Sequence, residues 1–443
     1  MPLSRRTFLH ATGALAAGAA FPAIASAAPA AGRAAPSETV NVALIGCNSM
    51  GWGDLATLLR NKGVRCLALC DVDRDVLARR TGDLAKRQPS TPGFATYDDY
   101  RRVLDRKDID AVLIGTPDHW HCLPFVDACK AGKDIYVQKP LANSIAECEV
   151  MEDAARKYSD RVIQVGQQQR SGTYWKELIA YLETGAIGRV NRVNVWANFG
   201  YAVLPPPIPD TAAPKNVDYD KWLGPAPARP FNAHRFHGSW RMWWDYGGGL
   251  LTDWGVHLLD IVLWGMKVDT LPLRTLACGG NLLFPEGSQE TYDTVSVSYQ
   301  FKDFVVNWEN NAGLHTGPYG KNYGIMFHGS KGYIVANRSG WEVFSERSPK
   351  PTKSVHGDGW GNPGSLSLHT TNFLECIKTR NTRTACTLAS GSLCAKLAHL
   401  GNIGARIGGG ALVYDEKARK FDVEAANKFL KPTYRAPWKF PQV

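Results

Sequence analysis

The stretch GGGLLTDWGVHLLDIVLW, residues 247–264, gathers acid–base side chains on an otherwise apolar run. Asp253, His257 and Asp260 stand at i, i+4 and i+7, and on an α-helix those positions share one face. Leu258, Leu259, Ile261, Val262 and Leu263 around them predict a largely buried helix. A buried imidazole beside carboxylates is how a general base is held and oriented. The structural alternative is a satisfied core histidine with an aspartate at the helix N-cap. Gly247, Gly248 and Gly249 lead into the helix and leave bare backbone that a ligand can approach closely, which favours the first reading.

A base of this kind needs an oxidant or electrophile beside it, and the first part of the chain offers one. Val40–Ile45 is a β-branched run of the kind that forms a buried parallel strand. It runs into Gly46-Cys47-Asn48-Ser49-Met50-Gly51 and then a helical stretch, a G-x-N-x-x-G in the place of a dinucleotide-binding G-x-G-x-x-G. A second strand ends in Asp71, where the acid that bonds the adenosine ribose belongs, with Arg74 close behind it. A pyrophosphate would rest on the helix N-terminus. Asn48 stands where a glycine is usual and is read as tolerating an unusual backbone angle. Three further strands end in polar groups: Ala111–Ile114 before Thr116-Pro117 and His121, Asp134–Val137 before Gln138-Lys139-Pro140, and Val162–Val165 before Gln167 and Arg170. Ligands of open parallel sheets bind at such strand ends.

These motifs resemble the family of glucose–fructose oxidoreductase, inositol dehydrogenase and rhizopine catabolism proteins. The Gly46 turn, Thr116-Pro117 with His121, Lys139-Pro140 and Asp253-x-x-x-His257 carry the resemblance, which covers nearly all of the chain after the N-terminal segment. Tyr434-Arg435-Ala436-Pro437-Trp438 and Asn372-Phe373-Leu374 look like the exported, carbohydrate-associated branches of that family. The resemblance implies an α/β architecture: a Rossmann domain followed by an α+β domain with an open, mostly antiparallel sheet. It also implies hydride transfer between NAD(P) and a sugar or polyol carbon. In one respect the chain departs from the pattern. Gln138 precedes Lys139 where a glutamate is usual, which keeps hydrogen bonding but removes a negative charge.

The remaining sequence predicts the second domain. Residues 189–200, 273–284, 293–309 and 322–346 alternate apolar and polar residues and read as strands, with Gly329-Ser330-Lys331-Gly332 as a hairpin turn. An antiparallel sheet can leave a face open, and such a face suits a homo-oligomer contact. Residues 203–230 hold eight prolines and predict a stiff excursion with little regular structure. FNAHRFHGSWRMWWDY, residues 231–246, carries aromatics that read mostly as core filling, while their place just upstream of the glycines and Asp253 suits some of them to stacking on sugar rings. Residues 388–408 read as a helix returning to the first domain.

Composition narrows the class. The net charge of +10 is spread without a dense basic run, which argues against a nucleic-acid site. Ten cysteines form no C-x-x-C pair, and no metal site is expected. Arg5-Arg6 followed by Phe8-Leu9 and an Ala/Gly-rich run reads as a twin-arginine export signal over residues 1–27, with a linker over 28–38. No later apolar run is long enough to span a bilayer. The expected organisation is then a Rossmann domain at 39–168 and a substrate-binding and oligomerisation domain at 169–443.

The chemistry implied is oxidation of a sugar, polyol or glycoside hydroxyl in the periplasm or another exported location. Lys139, Asp253 and His257 are the expected catalytic residues: His257 takes the hydroxyl proton, Lys139 holds the oxygen, and Asp253, with Asp260 second, orients the imidazole or bonds an adjacent hydroxyl. Gly46, Asn48, Ser49, Met50, Gly51, Asp71, Arg74, Thr116, Pro117, His121, Gln138, Lys139 and Gln167 are expected at the cofactor, a tightly bound NAD rather than NADP. Arg170, Arg241, Trp243 and Trp254 are expected at the carbohydrate. A redox-neutral NAD-dependent glycoside hydrolase or lyase, and a non-catalytic NAD- or sugar-binding protein, are the alternatives.

Overall fold

The apolar run Val40–Ile45 (β1) becomes a central strand because its side chains are buried on both faces and need helices on both sides. The computed structural model describes residues 39–89, 93–359 and 364–443, so the expected signal and linker lie outside the described residues. From β1 the chain alternates: α1 (Ser49–Leu58), β2 (Val64–Cys70), α2 (Arg74–Arg87), β3 (Ala95–Tyr97), α3 (Tyr100–Leu104), β4 (Ala111–Ile114), α4 (Cys122–Lys130), β5 (Asp134–Val137), α5 (Ile145–Lys157) and β6 (Ile163–Val165). The six strands lie in the order β3-β2-β1-β4-β5-β6, and every pair is parallel. Strand order reverses between β1 and β4, and a crevice opens at their carboxyl ends.

Local chemistry sets the helix starts. Asp73 caps α2 by accepting from the amides of Asp75 and Val76. Ser144 caps α5 by accepting from the Glu147 amide, and its hydroxyl donates to the Glu147 carboxylate. By contrast α1 has no side-chain cap and no acid in its first turn, so its leading N–H groups face the crevice without a protein anion.

After α6 (Thr173–Glu183) the second sheet begins with β7 (Val190–Ala197). A long excursion with little regular structure, as the prolines predict, holds the short α7 (Tyr219–Leu223) and a few single helical turns, and leads to α8 (Val256–Gly265). The strands β8 (Arg274–Gly280), β9 (Thr294–Gln300), β10 (Val305–Asn311), β11 (Tyr323–Gly329), β12 (Gly332–Asn337), β13 (Gly340–Ser345) and β14 (Pro351–His356) follow. Then come α9 (Gly364–Thr379), α10 (Leu388–Arg406) and the two-residue β15 (Ala411–Leu412). The order is β14-β13-β12-β11-β7-β10-β9-β8-β15, antiparallel throughout except between β7 and β10. The expected strands 293–309 and 322–346 are each broken by turns into two and three strands, and β14 was not foreseen. The turn at 329–332 does join β11 to β12.

Two helices late in the chain bind the sheets together. Phe373, Leu374, Cys376 and Ile377 of α9 pack with β1 and α1 in the core of the first sheet. On α10, Leu388 and Ala395 join the first sheet's other core, while Leu397, Leu400 and Ile403 join that of the second. At Gly391 a Cβ would lie 2.8 Å from the Val165 side chain, so α10 crosses the end of β6 without space for a side chain there. No helix among the described residues is long and apolar enough to cross a membrane.

Candidate active site

The turn after β1 is built by three glycines. A Cβ on Gly51 would lie 2.2 Å from the Gly46 carbonyl oxygen, one on Gly46 2.6 Å from the Gly115 carbonyl carbon, and one on Gly115 2.5 Å from the Gly51 Cα. The third of these, at the end of β4, escaped the sequence reading because the G-x-N-x-x-G pattern is local and Gly115 is not. Asn48 is in ordinary extended backbone, and the left-handed positions are Gly46 (φ +86°) and Ser49 (φ +40°). Asn48 therefore needs no special tolerance of backbone angle, contrary to expectation.

A cleft runs from this turn across the strand ends. Gly46, Asn48, Ser49, Met50 and Asp71 line one part, and Thr116, Pro117, Gln138 and Lys139 line another. Asp71 accepts from the Cys47 amide at 2.7 Å and the Asp73 amide at 3.0 Å, which ties the glycine turn to the end of β2. Burial raises its carboxyl above the ordinary range. Open amides at the start of α1 and an acid at the end of β2 fit the pyrophosphate and ribose of a dinucleotide.

The second cavity adjoins the first and shares Ser49, Met50, Gln138, Lys139 and Arg241 with it. Asp253 and Trp254 come into it from the segment ahead of α8, and His257 from the first turn of α8. Residues 251–255 form a π-turn, so the expected regular i, i+4, i+7 face does not run through them. The Lys139 ammonium donates to the Asp253 carboxylate at 2.6 Å and to its carbonyl at 2.8 Å. Arg241 donates to the same Oδ1 at 3.1 Å, and the Tyr201 hydroxyl donates to Oδ2 at 2.6 Å. Burial alone would raise the Asp253 pKa, but Lys139 and Arg241 outweigh it and hold the carboxyl far below its ordinary value. Two of the three Lys139 donors are thus engaged by Asp253, and one is left for a ligand.

His257 has a different environment from the one expected. Neither Asp253 nor Asp260 bonds its ring, and its Nδ1 is buried with no hydrogen-bond partner among the described residues. Burial, with the positive charges of Lys139 and Arg338, depresses its pKa well below 6.5. The imidazole is therefore neutral at neutral pH and free to accept a proton. Asp260 is instead held by the Arg170 guanidinium at 2.8–2.9 Å, completely buried.

Several expected residues therefore stand elsewhere. Arg170 is committed to Asp260 and does not line the cavity. Trp243 donates to the His234 carbonyl at 3.0 Å and packs under Arg229 and Arg235, a structural role for an aromatic that was read as a sugar wall. The His121 ring nitrogens lie 2.8 and 2.9 Å from the carbonyl oxygens of Pro140 and Thr116, and burial lowers its pKa to about 4. It braces the two loops from behind, and the Lys139–Pro140 peptide there is cis. Gln167 is fully buried against Cys386. Arg74 is exposed and bonds the Lys215 carbonyl. Arg241 and Trp254 do line the second cavity.

Gln138 gains a reason. Its amide donates to Asp54 at 2.6 Å, and burial raises the Asp54 pKa from 3.8 to about 7. A glutamate here would set two buried carboxyls against each other, which the amide avoids. Residues the sequence reading missed include Tyr201, Arg338, Asp118 and His237. Arg338 sits over the Trp254 ring at 4.7 Å, Asp118 lies buried in the cofactor cleft, and His237 reaches from the excursion to Asp73 at 2.6 Å. Tyr201 and Arg338 belong to no local motif, while Asp118 and His237 stand inside stretches read for other residues. All ten cysteines are free, and the described residues hold no cluster of His, Cys, Asp or Glu that could bind a metal.

The model for the NAD-binding Rossmann fold of the Gfo/Idh/MocA oxidoreductase family matches residues 40–167, and that for its C-terminal alpha/beta domain matches 189–323. A twin-arginine translocation pathway signal sequence matches residues 2–22, which marks the chain for export by that route. An alpha-N-acetylgalactosaminidase of Shewanella oneidensis is 33% identical over 171 residues, 35% of this chain and 37% of that protein. A glycosyl hydrolase family 109 protein of Shewanella sp. strain W3-18-1 is 34% identical over 122 residues, 27% of each. The match thus spans little more than a third of these curated relatives at most. Among solved structures, the aldose-aldose oxidoreductase of Caulobacter crescentus aligns with TM-score 0.61 at 19% identity, over 84% of this chain and 99% of that one. A levoglucosan dehydrogenase in complex with NADH and levoglucosan aligns with TM-score 0.61 at 21% identity, over 84% and 98%. At such identities the likeness establishes the fold.

Proposed function

The chain belongs to the Gfo/Idh/MocA oxidoreductase family, and within it we propose an NAD-dependent enzyme that oxidises a hydroxyl-bearing carbon of a sugar, polyol or glycoside. The observation that carries this reading is the cluster Lys139–Asp253–Arg241 beside a neutral His257, at the junction of the nucleotide cleft and a second cavity. A bound nicotinamide supplies the hydride acceptor. The chain's own residues do the rest. Lys139, fixed by Asp253, holds the reacting oxygen with its remaining donor. His257 takes the hydroxyl proton, and its neutrality at working pH leaves the lone pair available. Tyr201 and Arg241 keep Asp253 ionised and in place, and Trp254 with Arg338 walls the side away from the cofactor.

The division at residue 168 into nucleotide-binding and substrate-binding domains, and a homo-oligomer through the open face of the second sheet, belong to this proposal. So does retention of NAD through many turnovers, since an exported enzyme meets no ready nicotinamide pool. A second reading has a specific support in the Shewanella relatives named as glycosidases. In it the same site oxidises a glycoside, the leaving group departs by elimination, water adds, and the sugar is reduced again. One experiment separates the two. Purified protein is incubated with a panel of sugars and glycosides while nicotinamide absorbance and sugar products are followed together. Oxidised product with matching NADH, or with a reduced second sugar, supports the oxidoreductase; free sugar with no net NADH supports the glycosidase. No turnover of any panel member, with NAD bound, would leave a binding protein.

A further inference from the structure

The segment Tyr434-Arg435-Ala436-Pro437-Trp438 is absorbed by neither the catalytic cluster nor the glycine turn, yet it reaches the nucleotide cleft. Trp438 lines the cleft's far end with Trp120, Tyr100 and Arg101. The Trp438 and Trp120 rings meet edge to face with centroids 4.9 Å apart, Trp120 meets Tyr100 the same way at 5.9 Å, and the Arg101 guanidinium lies over Trp438 at 5.2 Å. These residues come from three places that only the fold assembles: the start of α3, the loop after β4, and the end of the sequence.

The segment is built in. Tyr434 donates to the buried Glu147 at 2.6 Å. The Arg435 amide donates to the Pro225 carbonyl at 3.0 Å, and its guanidinium holds both the carbonyl (2.6 Å) and the carboxylate (2.8 Å) of Asp220. Asp220 belongs to α7, in the proline-rich excursion. That excursion is itself tied down by Lys221 on Asp98 at 2.7 Å and by the Trp222 carbonyl, which accepts from Trp120 at 3.0 Å. Excursion and segment thus form one strap across the cleft beyond Asp71.

We propose that this end of the cleft is the adenine subsite and that Trp438 is its stacking wall, a positioning residue for the dinucleotide. The proposal rests on reading the cleft as a dinucleotide site. Asp71 marks the ribose, so the base attached to that ribose lies on the far side from Lys139, where the aromatic walls are. Flat rings and a guanidinium plane recognise a planar heterocycle through its π-face. Asp99 is taken by Arg101, whose guanidinium it holds over Trp438, and Asp98, whose Oδ2 holds Lys221, keeps its other oxygen at the rim as an acceptor for an exocyclic amino group, which adenine carries.

The test uses the purified chain stripped of nucleotide, with AMP, NMN and NAD as probes in calorimetry and NAD release followed by rapid filtration. Trp438→Ala should weaken AMP and NAD by about tenfold or more and speed NAD release to match, while NMN binding stays as in the wild type. Trp438→Phe should recover most of the loss. A purely structural role would lower AMP and NMN together, and that outcome overturns the proposal, as does an unchanged AMP affinity. Should Trp438→Ala not fold, Trp438→Leu keeps the apolar bulk without the π-face and carries the same expectation. If the wild type binds neither AMP nor NAD, the dinucleotide reading itself falls. If it binds both and the Trp438 variants match it, only the subsite assignment falls.

Discussion

At the scale of single residues, the site is organised by charge. Asp253 is the shared counter-ion of Lys139 and Arg241, and His257 is kept neutral by what surrounds it. His257→Ala is expected to lower turnover about 100- to 10,000-fold on the true substrate, the usual contribution of a positioned acid–base group. Because the pKa of His257 is depressed, the acid limb of its kcat/KM profile should fall below pH 6.5; a limb at or above that value would remove His257 from the role of base. Asp54 gives a stability prediction. Its carboxyl is raised by burial from 3.8 to about 7, so the proton is held more tightly in the folded chain. The contribution is fully present below about pH 4 and is lost as pH rises through 7. Asp54→Asn removes this dependence and can still accept from Gln138. Urea unfolding should therefore show the variant gaining on the wild type between pH 5 and 8, and an equal difference at both pH values contradicts the assignment.

At the scale of elements, α1 is positioned by contact between backbones. Its glycine at 51 lies so close to the Gly46 carbonyl and to Gly115 that even a methyl group has no room. Gly51→Ala should push α1 from the end of β1 and lower stability by about 1–3 kcal/mol, the usual cost of overpacking. NAD affinity should drop more than tenfold, because the open amides of α1 move with it. Thermal unfolding and nucleotide titration of the same variant check both parts; wild-type NAD affinity would mean that the turn does not hold the pyrophosphate. The π-turn at 251–255 works in a similar way on the other side of the site. It turns Asp253 toward Lys139, while Asp260 goes to Arg170 in the core.

At the scale of the molecule, the site exists only where the two sheets meet. Lys139 comes from the end of β5 and its partner Asp253 from the approach to α8, while α10 packs against both cores. Nucleotide binding should then stabilise the whole described unit as one. NAD at about 1,000 times its dissociation constant adds about 4 kcal/mol, and calorimetry should show a single transition moving upward. Two transitions, of which only one responds to NAD, would show that the sheets unfold independently. Protein purified without added nucleotide is also expected to release NAD(H) on acid treatment, as a retained cofactor requires. Asp71 should favour NAD over NADP by repelling a 2′-phosphate, and tighter NADP binding by the wild type would refute that assignment.

Much of this was legible in the chain itself, wherever a pattern is short-range. The β-branched strands, the glycine turn, Asp71 at the end of β2 and the spacing of Asp253 and His257 follow from residue type and local pattern, while Lys139 joined them as a candidate through the family resemblance. The proline-rich excursion and the hairpin at 329–332 are equally local. Burial and partner choice across the fold are not. Whether Asp253 bonds His257 or Lys139, whether Arg170 meets a sugar or Asp260, and whether Trp243 walls a cavity or fills a core depend on residues far away in sequence. The roles of Gly115, Tyr201, Arg338 and Trp438 were hidden for the same reason, since no local period marks a residue whose neighbours come from distant parts of the chain. Sequence therefore determined the elements and the chemical types at their ends, and tertiary packing decided which charges met, because an ion pair or a stacked ring is specified by distance in space.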